Sequence, residues 1–359
     1  MELILPAAYR EGFVAALEGL PIGHLYGALP RDPGLRASGW LPATDAEALG
    51  RIVASARSGD VPFYYALNVA CLGNREFTAE GQGWLVEQLG GLQELGIEGV
   101  VLSNPYLVAF ARARFPELRV AVSTAAAVDS LEKARFFEAR GVDLIYLPEY
   151  VNRDLRLLRK LRQGVGCRLA LLVNVGCLLH CPIRGYHISV VSHSGESQEL
   201  GTYVDYPLMW CTREKAREPG QMLKAPWIRP EDLALYESLG YDEFKLAGRE
   251  MDPDWILRAA RAYAARRWDG DLNDLILGFD HLEPFGEMPL RLANRALDGF
   301  VDFFQSKHDC RQGCGECRYC DDRAEQALRG ADAAPAFAER IERHLDRFES
   351  GAFRTPGGR

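Results

Sequence analysis

RLALLVNVGCLLHC, residues 168–181, joins an unbroken apolar run to two cysteines with three residues between them. An apolar run of that length without alternation reads as a strand covered on both faces, which is the situation of a strand in a parallel sheet. Seven other short runs resemble it: ELILPA (2–7), GHLYGAL (23–29), PFYYALN (62–68), EGVVLS (98–103), LRVAVS (118–123), DLIYLP (143–148) and EFKLAG (243–248). Between them lie segments such as DAEALGRIVASARSG, GWLVEQLGGLQELG, SLEKARFFEARG and NRDLRLLRKLRQG. Their apolar residues recur three and four apart and the segments end in glycine, the pattern of amphipathic helices. Alternating strands and helices predict a parallel sheet, and eight strands point to a closed (β/α)8, TIM-like barrel in the α/β class. A doubly wound open sheet is the rival that spacing alone leaves standing.

Simple alternation fails in two places. Residues 176–240 form a long insertion between the seventh and eighth strands, and connections of that length are usually functional. Residues 271–359 form a C-terminal extension that carries CRQGCGECRYC (310–320) and a charged helical stretch, PAFAERIERHLDRF. The barrel with its insertion is thus expected over 1–270 and the extension over 271–359, with the tail GAFRTPGGR loose.

The chain has 359 residues, 48% hydrophobic and 26% charged, enough to bury a large core. The start, MELILPAAYREGF, lacks the basic segment of a secretory signal, and no apolar run reaches the roughly 20 residues of a membrane span. A cytoplasmic protein with no membrane association is expected. A formal net charge of −8 works against nucleic acid as the partner. In a reducing compartment nine cysteines read better as metal ligands than as disulfides.

Residues just beyond barrel strands share one rim, where barrel enzymes place their chemistry. Cys71 follows the third strand, Cys177 and Cys181 follow the seventh, and Cys211 lies in the insertion. Four thiols meeting there match the ligand count of a [4Fe-4S] cluster or an all-cysteine zinc site. The plainer reading makes Cys71 and Cys211 buried small hydrophobes, and packing suits Cys167 best. Cys310, Cys314, Cys317 and Cys320 form a second group, so two clusters are conceivable in one chain. Their gaps of three, two and two favour iron-sulfur, because zinc ribbons use two pairs separated by a longer stretch; zinc is the alternative. The first three also match the CxxxCxxC pattern of radical S-adenosylmethionine enzymes, but the C-terminal position and the fourth cysteine argue against that.

NVGCLLHCPIRGYH, Cys211 and LKAPWIRPEDLALYESLGYDEFKLAGRE (223–250) together resemble the U-32, collagenase-like peptidase family. LPAAYREGF, LNVACLGNREF, VSTAAAVDSLEKARFF and LPEYVNRDLRLLRKL also look like family blocks. The resemblance implies a barrel holding a [4Fe-4S] cluster on four cysteines, here with Cys71, Cys177, Cys181 and Cys211 as positional analogues. It also implies oxygen-independent hydroxylation of a small, aromatic-type substrate, with prephenate as oxygen donor, and a second family member as a heteromeric partner. The cysteine spacing departs from those hydroxylases.

Around that rim His187 and His193 are placed to move protons, although no HExxH motif occurs. Arg184, Lys224, Arg229, Lys245 and Arg249 supply positive charge suited to carboxylates, with Arg184 and Lys245 nearest the chemistry. Salt bridges to Glu231, Asp232 or Glu250 are the structural alternative. Asn68 and Glu76 bracket Cys71, and Glu149 and Asp154 follow the sixth strand, where Asp154 also suits a helix N-terminus. Three functions therefore compete: an iron-sulfur hydroxylase or related redox enzyme on a small molecule, a peptidase, and a non-catalytic electron-transfer or scaffold subunit. No GxSxG or aspartic-dyad signature supports the second.

Overall fold

The computed structural model describes residues 1–35, 41–199, 204–278, 281–282, 285–306, 310 and 314–351. Eight parallel strands close into a barrel in sequence order: β1 Glu2–Pro6, β2 Ile22–Gly27, β3 Phe63–Leu67, β4 Gly99–Leu102, β5 Arg119–Val122, β6 Leu144–Leu147, β7 Arg168–Leu172 and β8 Glu243–Lys245. Each apolar run contains one of these strands, except that β2 begins one residue before its run, and pairing of Glu2 with Glu243 and Ile4 with Lys245 seals the cylinder. The open-sheet alternative is thereby excluded. Leu3, Val100, Val120, Ile145 and Phe244 are fully buried, each contributing about 1.5–3 kcal/mol of hydrophobic stabilisation.

Helices follow most strands: α1 Ala46–Ser58, α2 Ala79–Glu94, α3 Pro105–Arg114, α4 Leu131–Glu138 and α5 Leu155–Gly164. Short polar side chains start them. Asp45, Thr78, Asn104, Ser130 and Asp154 each accept a hydrogen bond from a first-turn N–H, satisfying a donor the helix itself cannot. Asp154 is accordingly a cap, the structural one of its two readings. The first crossover is the exception: only a 3-10 turn, Ala15–Leu17, lies between β1 and β2.

Between β7 and β8 the chain forms α6 Arg184–Ser192, α7 Ser194–Glu199, α8 Tyr206–Arg217, α9 Gly220–Lys224 and α10 Leu233–Glu237. After β8 come α11 Pro253–Ala265, α12 Asp302–Ser306, α13 Tyr319–Ala327 and α14 Ala334–Glu349. The last two helices lie on the insertion. Arg213 of α8 pairs with Glu342 of α14 at 2.8 Å, and Lys224 of α9 with Asp321 of α13 at 2.8 Å. Most of the tail expected to be loose, residues 352–359, lies outside the described residues. Among the described residues no helix is long and apolar enough to cross a membrane.

Candidate functional site

Chain geometry after β7 decides where the first cysteine pair stands. Beyond Leu172 the backbone leaves the sheet, and the buried Asn174 side chain takes over. It donates to the carbonyls of Ala247 at 3.1 Å and Leu275 at 3.3 Å, and accepts the Ala247 N–H at 2.7 Å. Asn174 therefore clamps the ends of β7 and β8 to the segment after α11. The Gly176 N–H then donates to the Leu277 carbonyl at 2.9 Å, while the buried Lys215 ammonium donates to the carbonyls of Gly176 at 3.1 Å and Gly278 at 2.8 Å. Cys177 emerges from this fixed base at the C-terminal end of the barrel.

A cavity opens there, with about 940 Å³ of empty space including its mouth, floored by Tyr26, Tyr146 and Lys245 from the strands. Helix α6 lies across it. Arg184, His187, Ile188 and Val191 line the cavity because positions i, i+3, i+4 and i+7 share one face of a helix. The Ala70 N–H donates to Ser192 Oγ at 3.1 Å, tying the loop after β3 to the far end of that helix. Lys245 Nζ stands 3.4 Å from the centroid of the Tyr26 ring, a cation–π contact in the barrel axis. Gly248 borders the same space with φ +129°, and a Cβ there would stand 2.7 Å from the Trp255 ring, so the close approach requires glycine.

Arg184 Nε and Nη2 donate to the two oxygens of Glu149 at 3.0 and 3.3 Å, a bidentate pair in the cavity wall. Nε2 of His187 faces Asp205 Oδ1 at 3.6 Å. Deeper in the barrel His24 Nε2 and the Tyr146 hydroxyl are 2.6 Å apart, and burial lowers the His24 pKa well below its ordinary value.

Three of the four mouth thiols influence one another. Burial pushes the Cys177, Cys181 and Cys211 thiols up; the Cys211 charge adds to the rise at Cys177, and that of Cys181 adds to the rise at Cys211. Arg184 and Lys215 oppose the rise at Cys177 and Cys181, whereas the Glu149 carboxylate adds to it at both. Cys71 lies on the neighbouring loop, exposed, its Sγ accepting the Gly73 N–H at 3.3 Å, and is not among the principal influences on the other three.

The remaining expected site residues divide clearly. Asn68, Arg184, His187, Lys245 and Arg249 line the cavity. His193 caps the end of α6, two positions past the lining face, and does not line it. Arg229, expected at the substrate, is instead buried in a bidentate pair with Asp232 at 2.9 and 3.1 Å and donates to the Asn294 carbonyl, joining the insertion to the extension. Lys224 pairs with Asp321 beside the C-terminal cysteines rather than at the mouth. Glu76, also expected at the substrate, is buried and accepts from Asn104 Nδ2 at 2.9 Å, away from the cavity wall. Cys167 packs against the core, its thiol pushed up to about 11.

Sequence reasoning missed Tyr26, Ser123 and Tyr146 in the cavity wall. Strand aromatics read as core; only the inward alternation at strand ends could have marked them.

Cys310, Cys314, Cys317 and Cys320 line one smaller cavity with Lys224, Phe303 and Phe304. Among the described residues no three His, Cys, Asp or Glu side chains stand at the spacing of a single bound metal ion.

The sequence profile of peptidase family U32 matches residues 32–181, a span that includes Cys71, Cys177 and Cys181. The chain is 36% identical over 283 residues to an uncharacterized protease of Methanocaldococcus jannaschii, covering 79% of this chain and 82% of that one. The solved structure of the U32 peptidase Mk0906 superposes with a TM-score of 0.53 at 23% identity, over 69% of this chain and 93% of that one, a likeness of fold. The chain is a member of peptidase family U32.

Proposed function

We propose that the protein is an iron-sulfur enzyme acting on a small anionic substrate at the barrel mouth, by oxygen-independent hydroxylation or a related redox modification. The observation that carries this reading is that Cys177, His187, Lys245 and Arg249 share one cavity wall. Cys177, Cys181 and Cys211 would hold the cluster, with Cys71 on the adjoining rim as the outlying fourth thiol. A bound cluster supplies a Lewis-acidic iron and one-electron chemistry. Zinc on the same thiols is the alternative, and iron, sulfide and zinc content separate the two.

The chain's own residues supply binding and proton transfer. Lys245 and Arg249 present two cations to a carboxylate-bearing substrate, and a dicarboxylate oxygen donor such as prephenate suits that pair. Glu149 holds the Arg184 guanidinium in one orientation against the cavity. His187, with Asp205 behind it, stands where a neutral imidazole can accept a proton from bound substrate. Cytoplasmic location and pairing with a second family member belong to the same proposal.

The test is turnover of candidate aromatic acceptors with prephenate under nitrogen, by protein reconstituted with iron and sulfide. Oxygen-labelled donor should deliver its label to the product, and label arriving only from water would refute the donor assignment.

One observation favours the peptidase reading: Cys177 and His187 line the same cavity, and Asp205 faces His187 as the orienting group of a thiol hydrolase would. Cys177 is solvent-exposed, but its thiol is pushed up rather than down, with Glu149 and Cys211 adding to the rise, whereas an activated nucleophile is pushed down. Hydrolysis of casein or collagen by metal-free protein, abolished by Cys177→Ala, would establish that alternative.

A further inference from the structure

Arg153 is one of the largest fully buried side chains, 2% exposed, and it precedes the cap of α5. Its Nη2 donates to the Ala225 carbonyl at 3.2 Å, but among the described residues its Nε and Nη1 meet no acceptor. The guanidinium rests against the rings of Trp227 at 4.7 Å, Phe304 at 4.7 Å and Phe300 at 5.2 Å. Asp232 feels its charge, but both Asp232 oxygens are engaged by Arg229. A buried cation without a matching anion is costly, so a negative charge is missing from its surroundings.

The Phe304 ring on which that cation rests is shared with the C-terminal cysteine set. Phe304 forms one wall of the cavity lined by Cys310, Cys314, Cys317 and Cys320, and Lys224 reaches into it from α9. About 300 Å³ there is free of protein atoms, counting the open solvent at its mouth. All four cysteines border this one space together with Phe304, the ring on which Arg153 rests. As protonated thiols they offer Arg153 nothing. Four thiolates on a metal-sulfide core carry net negative charge, which supplies what the arginine lacks.

We propose that Cys310, Cys314, Cys317 and Cys320 bind a [4Fe-4S] cluster as a second metal site, with Arg153 and Lys224 as its counter-ions. A cluster is chosen over zinc because gaps of three, two and two resemble an iron-sulfur run, and the wall is aromatic, as suits a water-poor cluster site. The four cysteines lie outside residues 32–181, the span matched by the family profile, and none of them is a mouth residue.

The experiment uses full-length protein purified without oxygen, with iron, acid-labile sulfide and zinc measured per chain. The double variant Cys314→Ser/Cys317→Ser should lose about four irons and about four sulfides relative to the parent. Unchanged iron in that variant, or one zinc per parent chain that the variant loses, overturns the proposal. Arg153→Met keeps the four ligands and should shift the midpoint potential of one reducible centre to more negative values, because a cation stabilises the reduced, more negative cluster. An unshifted potential at full iron content removes Arg153 as counter-ion. Iron loss in Cys177→Ser/Cys181→Ser reports on the mouth alone, so the two proposals fail separately.

Discussion

Nε2 of His180 donates a hydrogen bond of 2.7 Å to the carbonyl oxygen of Cys310, linking residues 130 positions apart in the chain. His180 adjoins Cys181, and Cys310 opens the C-terminal cysteine set, so one imidazole joins the two thiol groups. The acceptor is a carbonyl, which fixes the proton on Nε2. His180→Ala should destabilise the protein by about 1 kcal/mol in denaturant titration and speed alkylation of Cys310 in metal-free protein. Unchanged alkylation would show that this bond does not hold the two segments together.

Arg184 and Glu149 form the cavity's bidentate pair. Arg184→Met leaves a buried carboxylate without its partner, and such losses cost about 3–5 kcal/mol, here at the low end because Arg184 keeps some solvent contact. Adding Glu149→Gln should restore most of that stability without restoring activity. Stability that stays low in the double variant would mean that the arginine acts through packing.

Lys245→Met should weaken binding of dicarboxylates about ten- to hundredfold, the usual worth of a hydrogen bond to a charged group, while iron content stays unchanged. Calorimetric titration gives the affinity. Equal affinity for both proteins would remove Lys245 from the substrate site.

His24 is neutral in the folded barrel because burial lowers its pKa, whereas in the unfolded chain it titrates near about 6.5. The unfolded state therefore binds more protons below that value, and stability must fall as pH drops through it toward the lower folded pKa. His24→Gln should lose less stability between about pH 7 and 5 than the parent. Parallel stability curves for the two proteins would contradict this.

How far the sequence could be read depended on whether a residue's partner was local. Eight apolar runs specified eight strands because strands covered on both faces have no polar alternation to confuse them. The helix start at Asp154 was one of two readings the sequence offered, since a cap and its N–H lie within three residues. Arg229 and Lys224 were misplaced because Asn294 and Asp321 come from a segment far along the chain. Arg153 passed as one more charge before an amphipathic helix; only the fold buries it among Trp227, Phe300 and Phe304. His193 failed for a geometric reason, as two residues past Val191 is off the face of α6 that lines the cavity.

The central claim is that the mouth thiols grip an iron-sulfur cluster, and metal content measured on oxygen-free protein tests it most directly. Replacing Cys177, Cys181 or Cys211 singly with serine should remove about four irons and four sulfides per chain, and Cys71→Ser should remove fewer. If all four variants retain the parent's iron and sulfide, the cysteines at the barrel mouth hold no cluster and the proposed chemistry is wrong.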